Sequence, residues 1–205
     1  MPIKIVTICG SVRPGNYTSK ALALVLDEFA KRSDVGVDAF DLGTFDLPHP
    51  GKKAKDSSAE KLREFVKEAT GVVLATPEYH GSFSSAIKLA IENMGFPSVL
   101  AGKPVSLLGV AAGQIGAIKS LEHLRSVCSH VGAIVLPSLV SVARVQEVFD
   151  KEGHCLDGGT EKLIRGVAKS LLDYIEGAIC PRLVLEAMVR GMEETEHVSA
   201  PLRSL

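Results

Sequence analysis

The chain has 205 residues, the length of a single domain whose core needs neither disulfides nor a metal staple. With 46% hydrophobic and 23% charged residues and a net charge of −1, it is neither a disordered chain nor one built to grip nucleic acid or anionic lipid. Glycine is over-supplied, at 19 residues against an ordinary ~7% of a chain, while aromatics make up 5% and Trp is absent.

No stretch reaches the roughly 18 consecutive apolar residues of a membrane helix. Met1-Pro2-Ile3-Lys4-Ile5-Val6 enters an apolar run without the pattern of a secretory leader. Leu202-Arg203-Ser204-Leu205 is not a peroxisomal address. Cys9, Cys128, Cys155 and Cys180 show no C-x-x-C pairing. Together these features predict a reduced, cytoplasmic protein with free thiols, in which Asn16-Tyr17-Thr18 is an accidental glycosylation pattern.

In chain order, Ile3 to Ile8 reads as a strand buried on both faces, ending at Gly10. About Thr18 to Lys31 reads as a helix with Leu22, Val25, Leu26 and Phe29 on one face. Val35 to Leu42 is a second strand, followed by a Pro-bearing loop over 46–53 and a helix capped by Ser57 or Ser58. Gly71 to Thr76 is a third strand, stopped by Pro77, and Ser84 to Met94 a helix. Pro104 to Val110 is a fourth strand, Gly116 to His130 a helix, and Ala133 to Leu136 a short fifth strand. Residues 137–159 give no clear pattern, and a helix follows over about Glu161 to Ile175. Pro181 suits the first turn of one more helix, whose apolar Leu183, Val184, Leu185, Ala187, Met188 and Met192 call for burial, with a partner subunit as one place for it. The acidic run Glu193-Glu194-Thr195-Glu196 is expected to be solvated.

Alternation of strand and helix predicts an α/β fold with a parallel, doubly wound sheet and helices on both faces. In such sheets ligands bind beyond the carboxyl ends of the strands. Three loops fall there. Gly10-Ser11-Val12-Arg13-Pro14-Gly15-Asn16-Tyr17-Thr18-Ser19 leads into a helix N-terminus, whose free N–H groups and dipole favour a phosphate. Ser11, Asn16, Thr18 and Ser19 add donors, and Arg13 a charged fork. The bland alternative is a turn with capping residues. The loop has neither a nucleotide-triphosphate P-loop pattern nor G-x-G-x-x-G. Pro77-Glu78-Tyr79-His80-Gly81-Ser82 offers backbone edges and an aromatic wall to a flat ligand, or is simply a polar turn. Gly109-Val110-Ala111-Ala112-Gly113-Gln114-Ile115-Gly116 allows close backbone contact with something planar. The glycines on these loops predict close approach of a flat, phosphate-bearing ligand.

On these residues, with Asp46-Leu47-Pro48 and Lys88, the chain resembles the NADPH-dependent FMN reductases, including related quinone, azo-dye and chromate reductases, over roughly residues 2–176. The resemblance implies a flavodoxin-like fold, a five-stranded parallel sheet in the order 2-1-3-4-5. It divides the chain into an FMN-binding domain over 1–176 and a C-terminal helical extension over 177–205, a candidate for oligomer formation. It maps the FMN phosphate onto Ser11, Arg13, Asn16 and Thr18, beside which Ser19 offers its hydroxyl. It maps the isoalloxazine ring onto Pro77, Glu78, Tyr79, His80, Gly81 and Ser82 and onto Val110, Ala111, Ala112, Gly113, Gln114 and Gly116. Many relatives have Ser and Asn where this chain has Asn16 and Thr18, and Asn where it has His80.

The implied activity is hydride transfer from NADPH, or NADH, through FMN to a small acceptor by a ping-pong mechanism. The acceptor would be free flavin, a quinone, an azo compound or a metal oxyanion. No catalytic side chain is required, because the flavin carries the chemistry. Homodimers or homotetramers are implied as well. The alternatives are a flavodoxin-like electron carrier, disfavoured by the near-neutral charge, and a scaffold that has lost its flavin. No metal site is expected, since His123, Cys128 and His130 fit no zinc spacing, and Cys9 reads as a small buried thiol.

Overall fold

A computed structural model describes residues 3–199, with side chains through Arg190. Strand β1 (Ile3–Cys9), helix α1 (Tyr17–Ala30), strand β2 (Val35–Asp41), helix α2 (Ser58–Glu68) and strand β3 (Gly71–Tyr79) form the first half. Strand β4 (Ser82–Phe83), helix α3 (Ser85–Glu92), strand β5 (Pro104–Val110) and helix α4 (Ile118–His130) follow. Strands β6 (Ile134–Val135) and β7 (Val140–Val142), a single turn α5 (Val145–Val148), helix α6 (Gly158–Tyr174), a π-helical turn (Ile175–Ile179) and helix α7 (Cys180–Ser199) complete the chain. No helix among the described residues is long and apolar enough to cross a membrane.

The sheet order is β2-β1-β3-β5-β6, parallel throughout, which is the expected order once strands are counted along the main path. Side chains alternate across the sheet, as strand geometry requires. Ile5 and Cys9 of β1, Val73 and Ala75 of β3, and Leu108 and Val110 of β5 pack against α1 and α6 through Leu22, Phe29, Ile164 and Leu171. Val6, Ile8, Val72, Leu74, Val105 and Leu107 point to the other face, where Leu62, Ile87, Ile91 and Leu124 cover them. The connection after β1 leads to β2 on one side and the connection after β3 leads to β5 on the other, so the loops after β1 and β3 lie side by side at the switch point.

Three expectations need correction. Strand β3 does not stop at Pro77 but runs on to Tyr79. Its pairing with β1 ends at Cys9 and Ala75, while pairing with β5 continues to Pro77 and Val110. At Thr76 and Pro77, between the end of the β1 pairing and the start of the β4 pairing at Glu78, one edge of the strand is unpaired, and a residue without an N–H is tolerated there. The fifth strand is split: β6 pairs with the start of β5 and β7 with its end. Pro137 lies in the gap and cannot donate to the ladder. The last helix is a continuation of α6, not a separate segment. Pro181 cannot donate to the carbonyl four residues back and crowds it, and the turn before it is widened to a π-helical one, with Cys180 N–H bonded to Ile175 O. Of the apolar residues of this helix, Leu183 packs on the core, and Val184, Leu185, Met188 and Val189 are exposed on the single chain. Met192 and the acidic run over 193–196 lie outside the described side chains.

Candidate active site

The first loop is held by local bonds. Gly10 N–H donates to Ala75 O at 2.8 Å, and Ser84 Oγ donates to Gly10 O at 2.6 Å. Asn16 caps α1: its Oδ1 accepts from Ser19 N–H at 2.7 Å. Its Nδ2 donates to Arg13 O at 2.7 Å and to Ser11 O at 3.4 Å. Ser19 Oγ donates to Asn16 O at 2.8 Å. The polar ends of Asn16 and Ser19 therefore shape the loop. Left to meet an anion are the N–H groups of Tyr17 and Thr18, which have no place in the helical ladder, and the side chain of Arg13. Arg13 lies over the Tyr79 ring, 5.1 Å from its centroid, so the first and second loops touch.

The second loop is a two-residue hairpin between β3 and β4, with Tyr79 opposite Ser82. His80 (φ 50°) and Gly81 (φ 74°) are both left-handed, as the hairpin turn that fits the sheet twist demands. Asn fits that first position best, and His is also enriched in this region, so His80 can take the left-handed conformation there. Glu78 turns its Oε2 to Ser120 N–H at 3.1 Å, placing a carboxylate on the N-terminus of α4, where the dipole favours it. Ser82 Oγ bonds His123 Nδ1 at 3.1 Å and so faces α4.

The third loop is laced from behind by residues far along the chain. Ala111 N–H donates to Val142 O at 2.9 Å, Val145 N–H to Ala111 O at 3.1 Å, and Arg144 N–H to Gly113 O at 3.1 Å. Gln146 Nε2 donates to Ala112 O at 3.2 Å. Arg144 itself is left-handed, at φ 45°.

These loops enclose a cavity of about 460 Å³ lined by Ser11, Arg13, Asn16, Thr18, Pro77, Glu78, Tyr79, Val110, Ala111, Ala112 and Val145, among others. A depression of about 430 Å³ adjoins it through Glu78, Ala111 and Ala112 and reaches His80, Gly81, Gly113, Gln114 and Gly116. Of the expected contacts, Ser19 and Ser82 line neither. Sequence reasoning missed Val145 and Ser84. Val145 follows a stretch without clear periodicity, and Ser84 carried only the signal of a helix cap, which it also is. Another depression of about 460 Å³, between α1 and α6, is bordered by Arg165 and the carboxylates it pairs with, Glu28 and Glu161. Its walls are ionic, unlike the apolar walls expected around a flat ligand.

The glycines divide differently from the expectation. A Cβ at Gly10 would sit 2.2 Å from Ile87 Cγ1, and one at Gly109 2.7 Å from Ala117 Cβ, so both serve the packing of helix on sheet. A Cβ at Gly113 would meet nothing within 4 Å, which leaves that position open toward a ligand. Among the described residues no three His, Cys, Asp or Glu side chains gather as a metal would need. Cys9 is buried under the first loop, and burial pushes its thiol up. Cys128, deeper in α4, is pushed up to about 12.

A loop at a helix N-terminus, a hairpin after the third strand and a backbone wall after the next thus converge on one cleft. Residues 3–147 match the family model described as NADPH-dependent FMN reductase. The chain belongs to that family. It is 30% identical over 181 residues to an NAD(P)H-dependent FMN reductase of Pseudomonas aeruginosa, covering 82% of this chain and 93% of the relative. It is 32% identical over 176 residues to an NADPH azoreductase of a Bacillus species, covering 84% and 93%. Among solved structures, the flavoenzyme NAD(P)H:(acceptor) oxidoreductase FerB from Paracoccus denitrificans shares the fold, with a TM-score of 0.69 at 24% identity over 85% of this chain and 98% of that one. As a member of the NADPH-dependent FMN reductases, the chain is an oxidoreductase that works with FMN and a nicotinamide nucleotide.

Proposed function

We propose that the 460 Å³ cavity holds FMN and that NADPH, or NADH, and a small acceptor use its mouth in turn, a ping-pong cycle. The observation that carries this reading is the division of the cavity into two ends. One end offers the helix N-terminus, Ser11, Thr18 and the guanidinium of Arg13, the chemistry of a phosphate site. The other is walled by Pro77, Val110, Ala111, Ala112 and Val145, the apolar and backbone surface a flat ring requires. The residues present therefore fit FMN. Bound there, FMN supplies the hydride-accepting and electron-passing chemistry.

The chain's own residues bind and orient. Arg13 and the first turn of α1 fix the phosphate end, while Pro77 to Gly81 and Val110 to Gly116 border the ring. Asn16, Ser19 and Ser82 act behind these contacts, by shaping the loops that make them. No side chain is assigned as acid, base or nucleophile. The acceptor classes are free flavin, quinones, azo compounds and metal oxyanions. Residues 1–176 form the flavin-binding unit and 177–205 an extension. Four free cysteines support a cytoplasmic setting. Exposed Phe96, beside a groove lined by Ile91, Val127 and Val131, supports a homodimer or homotetramer.

The test is spectroscopic and kinetic. The purified protein should take up FMN and oxidise NADPH in the presence of a quinone, an azo dye or free flavin. A protein that binds no FMN would sink the reading. One that binds FMN but turns over only with a separate reductase would be an electron carrier instead.

A further inference from the structure

Lys20 stands one turn into α1, outside the lining of the cavity. Where Lys4, Lys31, Lys55 and Lys88 pair with carboxylates, Lys20 spends its donors on main chain. Its ammonium donates to Asp150 O at 2.6 Å and to Lys151 O at 3.1 Å, about 130 positions along the chain. It also lies 5.2 Å from the centroid of the Tyr17 ring, one turn back on the same helix. The stem runs beside Gly153, where a Cβ would sit 3.7 Å from Lys20 Cγ.

The segment that Lys20 grips is knit together. Asp150 Oδ1 accepts from Gly153 N–H and His154 N–H, both at 2.7 Å, and Phe149 and Cys155 form an antiparallel bridge. Buried Phe149 donates its N–H to Val145 O at 3.3 Å. Val145 lines the cavity and bonds Ala111 of the third loop. Tyr17, in contact with the same ammonium, lines the cavity from the first loop. One side chain thus joins the turn that presents the phosphate donors to the segment that backs the ring wall.

We propose that Lys20 is a positioning residue, which holds the two ends of the cavity in register. The proposal deepens the reading that the cavity holds FMN and rests on it. FMN must be met at its phosphate and at its ring together, and a ligand that spans two sites gains affinity from their fixed spacing. A ligand that meets one end alone gains none.

The experiment compares the parent with Lys20→Met, which keeps an apolar stem and removes the donors. Titration calorimetry with FMN, riboflavin and inorganic phosphate reads the two ends together and apart. FMN should bind about tenfold more weakly to the variant, while riboflavin and phosphate bind as before. Hydrogen exchange on the flavin-free proteins should be faster in the variant over 145–156 and unchanged in strand β5. An equal loss for phosphate would make Lys20 a charge acting on the anion. An equal loss for riboflavin would confine it to the ring wall, and an unchanged FMN affinity would leave it a stabilising contact. Each of these overturns the proposal, and so does unchanged exchange over 145–156. A parent that takes up no FMN would sink the flavin reading, and the exchange would still decide whether Lys20 holds the segment.

Discussion

Residues 10–19 and 110–116 border the same cavity under different kinds of constraint. The first loop is shaped largely from within: Asn16 reaches Ser11, Arg13 and Ser19, all inside a span of nine residues. The third is mostly Ala and Gly, and its backbone is held by Val142, Arg144, Val145 and Gln146, some thirty positions downstream. A phosphate site needs donors at fixed points around a helix end, which a short motif can specify. A wall for a flat ring needs bare backbone, and bare backbone has no side chains of its own with which to hold itself. The holding groups must then come from elsewhere in the fold.

The glycines offer the strongest way to break this contrast. Gly10→Ala would drive a Cβ into Ile87 and to 2.9 Å from Ala75 O, and should cost about 3 kcal/mol of stability in urea denaturation. Gly113→Ala meets no protein atom and should cost less than about 0.5 kcal/mol, so any loss of FMN affinity there would report the ligand. Equal losses of stability would show that Gly113 serves packing as well. Next in size is Arg13→Ala. Removing an exposed guanidinium should leave the unfolding midpoint alone. FMN binding should weaken by about 1.5–3 kcal/mol, roughly ten- to a hundredfold, while riboflavin, which lacks the phosphate, binds as before. Fluorescence titration of both ligands checks it, and an equal loss for riboflavin would mean that Arg13 acts through Tyr79 and not on the phosphate.

The two scaffolds can be loosened separately. Asn16→Ala deletes a helix cap and two loop bonds and should cost about 1–2 kcal/mol of stability. Gln146→Ala removes one bond, to Ala112 O, from an exposed side chain and should cost less than about 0.5 kcal/mol, because the backbone bonds from Arg144 and Val145 remain. If Gln146→Ala proved as costly as Asn16→Ala, the third loop would hang on a single side chain and the contrast would fail.

The same difference explains what could be read from the sequence. The central strands were legible because 3–8, 71–76 and 104–110 are short, largely apolar runs bounded by turn residues, and they brought the three loops to one edge. Strand β7 was not, being three residues beyond Pro137, too short to carry a period. Both polar loops could be found from their own residues, whereas Val145 could not, since nothing in its neighbourhood says that it returns to Ala111. Roles were harder to read than places. Asn16 and Glu78 border the cavity and Ser82 stands off it, and all three spend polar atoms on neighbouring elements, Asn16 and Glu78 because a side chain near a helix N-terminus serves that helix as readily as a ligand. Gly10 and Gly109 answer to Ile87 and Ala117, contacts visible only once helices lie on the sheet.

The finest probe of the contrast is the pair of buried thiols, Cys9 beneath the first loop and Cys128 in the helix that follows the third. Burial raises both above the ordinary thiol value. The sign follows directly: the folded state holds these protons more tightly than the unfolded one. Stability is therefore unaffected well below the unfolded thiol value of about 8.5 and falls as pH rises through it. Burial both raises these two thiols and shields them, so alkylation should reach the partly exposed Cys155 and Cys180 first, and Cys9 and Cys128 only through opening. Cys9 lies within sulfur hydrogen-bond reach of Ser11 O and Asn16 Oδ1, both at 3.9 Å. Asn16→Ala should then speed the labelling of Cys9 and leave Cys128 unchanged, measured by mass spectrometry of the alkylated peptides. Acceleration at both sites would mean that the first loop opens only with the whole fold, and that its local bonds do not make it a separate unit.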